Sequence, residues 1–428
     1  MTRKPGPSKE VKTFRVGGSV RDELLGRPVV DRDWVVIGAT PEIMIASGYK
    51  PVGRDFPVFL HRDTGEEYAL ARTERKHGRG YRGFEFFASP DVTLAEDLAR
   101  RDLTINAMAR GEKGELIDPF GGQTDLRAGI LRHVSPAFVE DPLRVLRVAR
   151  FAARFGFTVA PDTARLMRTL VETGELALLS PERVWQELAR GLMEPHPARL
   201  LEVLRACGAL AELMPEVDAL FGVVRGKRRK PPQAAEDLIR ALRYAAERGF
   251  ALPVRYAVLV HRLGRPSGRS SGGAARVARM QDDLRSAERV SVRLKVPVDC
   301  RDAARLAARW HRVVPVAQSQ APAALLDLLA AADALRRPER LEALLQTCEC
   351  DAMWATGATD DFAAASHLRA ALKIVKAVDA GAIARAAAGK SGSSRSDAIT
   401  AAIRAKRLSA LRAWKRAAVV PVQTAKSS

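Results

Sequence analysis

Asp31 and Asp33 stand two residues apart in VVDRDWVV, an apolar, strand-forming run. Side chains alternate faces along a strand, so both carboxylates are expected on one side and Arg32 on the other. Two unpaired anions that close repel and raise each other's pKa, which a divalent cation between them relieves. Oxygen-only donors favour Mg²⁺ over zinc. Glu67, in EEYALAR, is the expected third carboxylate, and Glu66 faces the other way. Upstream, Gly17-Gly18 follows TFRV and precedes SVRDELL, a short helix that Ser19 is expected to cap and Gly26 to end. Small residues let backbone N–H groups approach an anion, and Arg21 in the first turn adds a forked donor. A phosphate cradle beside a metal pair is equipment for nucleotidyl transfer, in which cations activate a hydroxyl and neutralise a triphosphate. The carboxylates are then ligands rather than an acid/base pair.

These residues need a sheet to hold them. Residues 12 to about 118 alternate short β-like runs with helical ones, and from about 140 onward the pattern is almost wholly helical. Expected strands are TFRV (13–16), VVDRDWVV (29–36), and FPVFL and EEYALA joined by a turn at Asp63-Thr64-Gly65. ERKHGRGYRG (74–83) is expected to be a mobile loop, and IDPFGG (117–122) a joint between head and body. GKRRKPP (226–232) and RPSGRSSGG (265–273) have linker composition, and the tail from about 380 is rich in Ala, Lys and Arg.

The chain has 428 residues, 47% hydrophobic, enough for several cores, and a net charge of +20, which points to a polyanionic partner. No run of about 18 apolar residues occurs and the N-terminus lacks an apolar signal core, so no membrane partner and a cytoplasmic location are expected. The four cysteines suit reduced thiols, and Cys348-Glu349-Cys350 is half of a metal clip without its second pair. His61, His77 and His133 have no triad-like company.

GGSVRDELLGRPVVDRDW, RRDLTINAMA, IDPFGG, EDPLRVLRVARFAAR and SPERVWQEL together resemble, in order and spacing, the bacterial class II tRNA nucleotidyltransferases, the CCA-adding enzymes. The likeness is close over about 13–220 and looser to about 345. It implies an α+β chain, with a polymerase-β-like head built on a mixed β-sheet (1–139) and an all-α neck (140–222), body (223–345) and tail (346–428). It also implies that Gly18 and Arg21 bind the incoming CTP or ATP, and that Asp31 and Asp33 hold Mg²⁺, with Glu67 in the catalytic set. By the same resemblance Arg101 contacts the nucleotide, Asp102 and Asn106 help recognise the ribose, Asp141 and Arg144 read the base, and Arg147 and Arg150 complete the site. The last motif also has a chemical rationale. Cytosine and adenine each present an amino donor beside a ring acceptor, so a carboxylate next to a guanidinium pairs with either, and guanine and uracil reverse the pattern. Asp141 and Arg150 lie nine residues apart, about 180° around an ideal helix. They meet only if Asp141 is the N-cap with Pro142 at the first helical position. SPERVWQEL reads as a helix capped by Ser180 that braces the base-reading helix, with Arg183 as scaffold.

The expected activity is therefore addition of C, C and A to the 3′ end of tRNA from CTP and ATP. A poly(A) polymerase, an enzyme adding only CC or only A, and an RNA-binding protein with a decayed head are the rivals. KRRK (227–230) and the tail are candidate tRNA contacts. Oligomeric state is left open. Some relatives carry a phosphohydrolase domain of the HD type in the body, with histidine and His-Asp metal ligands. Here AVLVHRLGR places Arg262 after His261 where the aspartate belongs, so no such activity is expected.

Overall fold

The computed structural model describes residues 10–52, 58–76, 84–222, 233–264, 273–356, 362–386 and 393–419. The chain divides into two compact units, Met1–Asp218 and Ala219–Ser428.

The first unit is built on β1 (Lys12–Val16), β2 (Asp33–Ile37), β3 (Lys50–Val52), β4 (Val58–Leu60), β5 (Glu67–Leu70), β8 (Ala109–Arg110) and β9 (Leu116–Ile117), which form one sheet in the order β3-β4-β5-β2-β1-β8-β9. A separate hairpin joins β6 (Arg72–Lys76) to β7 (Phe84–Ala88). Among the described strands of this sheet only β2 and β5 pair in parallel, so the sheet is mixed as expected. Alternation along β2 splits the core. Val35 joins Phe14, Val16, Leu94 and Leu98 on one side, and Val36 joins Phe59, Tyr68 and Leu70 on the other.

Three local expectations need correction. β2 begins at Asp33, so Asp31 lies in the irregular segment before it, because both neighbouring strands stop pairing at Asp33, opposite Val16 and Glu67. Ser19 is not a cap. In α1 (Gly18–Leu24) the cap position is Gly17, and the Ser19 hydroxyl instead donates to the Val16 carbonyl at 3.0 Å. Residues 74–76 are strand rather than loop, since an antiparallel partner satisfies their backbone, and 77–83 lie outside the described residues.

Helices of the first unit after α1 include α2 (Pro41–Ala46), α3 (Leu94–Ala99), α4 (Gly122–Ala128), α5 (Leu143–Phe155), α6 (Pro161–Glu172), α7 (Pro181–Met193) and α8 (Pro197–Ala206), with α5 packed on α7 and α8. Ser180 caps α7 as expected, its hydroxyl accepting from Arg183 N.

The second unit is helical throughout its described residues, from Gln233–Glu247 to Ser393–Val419, around a core that includes Leu325, Leu328, Leu345 and Leu368. No described helix is long and apolar enough to cross a membrane. KRRK and the linker after Gly264 lie outside the described residues.

Candidate active site

Asp33 and Glu67 are direct partners across the parallel β2–β5 pair and so share a face, whereas Trp34 and Tyr68 stack on the other with ring centroids 5.4 Å apart. Burial raises the Asp33 pKa, Arg101 opposes that, and Asp31 adds to it. Among the described residues the carboxylates of Asp31, Asp33 and Glu67 make no hydrogen bond or ion pair. Glu66, by contrast, accepts from Trp34 Nε1 at 2.9 Å and lies 3.6 Å from Arg32. Asp31 and Asp33 line an open cavity of about 580 Å³. Glu67 does not border it, but lines an adjoining hollow of about 630 Å³ that it shares with both aspartates. Among the described residues no three His, Cys, Asp or Glu groups are placed to hold a metal unaided. Two free carboxylates nevertheless fit a hard cation such as Mg²⁺, which is commonly held by one or two carboxylates with water and substrate phosphates.

The glycine pair meets this cavity from the end of β1. Gly17 carries φ +70° and ψ −128°, a conformation reserved for glycine, and a Cβ there would sit 2.7 Å from Arg101 Nη1 and displace that side chain. Arg101 reaches Asp97 and the Asn106 carbonyl, each at 3.4 Å, and its buried Nε has no partner among the described residues. Arg21 is buried. It binds Asp22 at 2.9 and 2.8 Å and the Asn106 side-chain carbonyl, with Phe151 and Phe155 against its guanidinium.

Helix α5 supplies the opposite wall. Arg144, Arg147, Arg150 and Arg154 fall within a sector of about 120°, while Val145, Leu146, Val148, Ala149 and Ala152 are buried. Each arginine is fixed by a neighbour. Arg147 grips Asp102 through Nε and Nη2, both at 2.7 Å; Arg150 donates to Glu187 of α7 at 2.6 Å; and Arg154 donates to Asp22 at 2.9 Å. Asp102 also accepts from Leu103 N at 2.8 Å and Asn106 Nδ2 at 3.0 Å. Burial alone would raise its pKa, but Arg147, Asn106 and Arg144 outweigh that and hold it down to about 2. Asp102 and Asn106 thus organise the arginines.

Asp141 precedes α5, and its carboxylate accepts from Leu143 N at 3.0 Å. Pro142 already has helical dihedrals, so Asp141 acts as the cap, which lets it border the same cavity as Arg150. Arg183 of α7 approaches its other oxygen at 3.5 Å. Arg144 donates to the carbonyls of Ala137 at 2.8 Å and Arg100 at 2.7 Å, leaving the rest of its five N–H groups for a ligand.

Gly18, Arg21, Asp31, Asp33, Arg101, Asp102, Asn106, Asp141, Arg144, Arg147 and Arg150 all line this one cavity. So do Gly17, the first half of the expected cradle, and Arg100, Phe151, Arg154 and Arg190, which received no role from the sequence. The arginine spacing of α5 foreshadows Arg154. Phe151 reads as ordinary core, and Arg190 lies just past the motif that ends at Leu188. With eight arginines against four aspartates, the wall attracts an anion such as a triphosphate.

The body holds a separate cluster. His261 Nε2 lies 2.7 Å from Asp351, the Arg262 guanidinium is 3.8 Å from the same oxygen, and Arg312 binds Asp283 at 3.0 Å. Burial, then His261 and Arg312, push His311 down to about 3, so it is neutral at pH 7. Arg262 thus stands beside the carboxylate that His261 engages.

Residues 13–132 match a family model described as the poly A polymerase head domain, and 156–221 one described as the probable RNA and SrmB- binding site of polymerase A. A curated relative in Azoarcus sp. (strain BH72), named "Multifunctional CCA protein", is 54% identical over 389 residues, 89% of this chain and 93% of its own. Among solved structures, the Bacillus stearothermophilus CCA-adding enzyme in complex with CTP superposes with a TM-score of 0.61 at 27% identity, over 95% of this chain and 94% of that one. The Thermotoga maritima CCA-adding enzyme complexed with tRNA shares the fold, with a TM-score of 0.58 at 24% identity, over 94% and 91%.

Proposed function

Since this chain belongs to the family of the CCA proteins, the tRNA nucleotidyltransferases, we propose that it adds C, C and A to the 3′ end of tRNA without a nucleic-acid template, using CTP and ATP and releasing pyrophosphate. One observation carries the reading: a single cavity combines two unpaired aspartates, a glycine turn, a row of arginines and an Asp141–Arg144 pair.

Asp31 and Asp33 are the residues that would hold Mg²⁺, which supplies activation of the tRNA 3′-hydroxyl and neutralisation of the triphosphate. Asp141 accepts from the amino group of cytosine or adenine while Arg144 donates to the ring nitrogen beside it, and uracil and guanine offer the opposite pattern. Arg101, Arg147 and Arg150 hold the phosphates in a site whose charges are already fixed by Asp97, Asp102 and Glu187, so little reorganisation is needed at reaction. Glu67 stands beside Asp33 across the β2–β5 pair and belongs to the same catalytic set of carboxylates. The tRNA lies on basic surface of the body and tail, gripped by shape and phosphates rather than by sequence, in the cytoplasm.

Labelled CTP and ATP offered to tRNA lacking its terminal CCA test this. The expected result is growth by three residues that stops at CCA and is abolished by EDTA. Unlimited growth with ATP alone would favour a poly(A) polymerase, arrest after CC a division of labour, and no incorporation a decayed head. The reading also excludes phosphohydrolase activity in the body, supported by the placement of Arg262 against Asp351. Turnover of a phosphate monoester or a 2′,3′-cyclic nucleotide with Ni²⁺ or Mg²⁺ would refute that part.

A further inference from the structure

The eight arginines of the cavity wall are not equivalent. Seven are committed within the protein. Arg100 and Arg101 share Asp97, Arg21 and Arg154 share Asp22, Arg147 and Arg150 each have a carboxylate, and Arg144 is spent partly on carbonyls. Arg190, in the last turn of α7, is exposed and has no hydrogen bond, ion pair or ring contact among the described residues. An uncompensated guanidinium among seven others is repelled until an anion arrives. This is the cationic counterpart of the unpaired Asp31 and Asp33.

Its position says which anion. Arg190 lies about one turn past Glu187, the partner of Arg150. Glu194, one turn further, is within electrostatic reach of Arg154, Arg150 and Arg21. Arg190 therefore serves the end of the arginine row remote from Asp141, where a nucleotide whose base lies at Asp141 extends its phosphate tail. Resting on the nucleotidyl-transfer reading above, we propose that Arg190 binds the β- and γ-phosphates of the incoming nucleotide, the groups that leave as pyrophosphate. Among the described residues it is the cation of the wall that no protein group engages.

A phosphate contact is blind to the base and present before as well as during reaction, so its loss raises KM and spares kcat. In the full-length enzyme, Arg190→Ala is expected to raise KM for CTP and for ATP about tenfold alike, equivalent to about 1.4 kcal/mol. It should leave kcat within about twofold and KM for tRNA unchanged, and weaken binding of inorganic pyrophosphate, measured by calorimetry without turnover, by a similar factor. Arg190→Lys should recover part of the loss, and because the residue is exposed the melting temperature should not move. Nucleotide KM and pyrophosphate affinity within twofold of wild type would overturn the assignment. So would a rise in KM for tRNA alone, which would make Arg190 an RNA contact, or an effect on one nucleotide only. Wild-type CCA addition is measured alongside. Its absence would fail the parent reading, whereas its presence with an unaltered Arg190→Ala fails this inference alone.

Discussion

Asp102→Asn removes the carboxylate that organises the cavity, and its cost can be worked out in two ways. Two oxygens of Asp102 accept three hydrogen bonds, from Leu103, Asn106 and Arg147 Nε, with Arg147 Nη2 a further ion-pair contact at 2.7 Å. Asparagine keeps one acceptor and turns an NH₂ toward donors, leaving Arg147 without its counter-charge. Breaking a buried pair from one side costs about 3–5 kcal/mol, and the partial exposure of Arg147 lowers that to about 2–3. Independently, a folded-state pKa of about 2, against ~3.9 for a free aspartate, is worth about 2.5 kcal/mol of stability. The sign follows from the depressed value. The contribution is complete above about pH 4 and is lost as pH falls toward 2. Hydrogen exchange of the full-length protein reads this locally. Protection of α5 amides is expected to fall by roughly 70-fold in Asp102→Asn. After correction for intrinsic rates, wild-type protection should decline between about pH 4 and 2 while the variant stays flat. A loss below about threefold, or the same pH dependence in both proteins, would refute Asp102 as the keystone.

Other substitutions separate activity from stability. Asp33 has a raised pKa and no partner, so it costs stability at neutral pH. Asp33→Asn is expected to leave the melting temperature unchanged or higher while nucleotide incorporation falls at least about a thousandfold, and a marked drop in melting temperature would contradict this. Arg183→Met removes a half-exposed ion pair worth less than about 1 kcal/mol, yet it frees Asp141, the proposed reader of the base. The ratio of kcat/KM for CTP over UTP should fall about tenfold, and an unaltered ratio would make Arg183 plain scaffold. Gly17→Ala must strain a backbone reserved for glycine, at about 1–3 kcal/mol, and displace Arg101. Its KM for both nucleotides should rise, and wild-type kinetics would show that Arg101 moves aside freely.

The parts of the site written as short motifs were legible because each residue type serves a distinct need: acids for a cation, glycines for close approach, a carboxylate beside a guanidinium for a base edge. The sheet order followed less directly, since the parallel pairing of β2 with β5, which sets Glu67 beside Asp33, joins strands with α2, β3 and β4 between them in sequence. The start of β2 depends on where β1 and β5 run out of partners, and no residue in VVDRDWVV marks it. Ser19 is a favourable cap by type, but Gly17 takes that place because only glycine tolerates its φ. The packing of Arg101 on Gly17, and the places of Phe151 and Arg190, escaped notice for a shared reason. Their roles depend on what approaches them in space, namely Arg101, the arginine row and an open cavity, and no fixed spacing in the chain signals such encounters.

The central claim is that Asp31 and Asp33 are kept unpaired for a cation that arrives with a triphosphate. Electron paramagnetic resonance of Mn²⁺ titrated into the full-length protein tests it directly. One tight site per chain should form when CTP is present and disappear in the Asp31→Asn, Asp33→Asn double variant. Equal Mn²⁺–CTP binding with and without the two carboxylates would place the metal elsewhere and contradict the account.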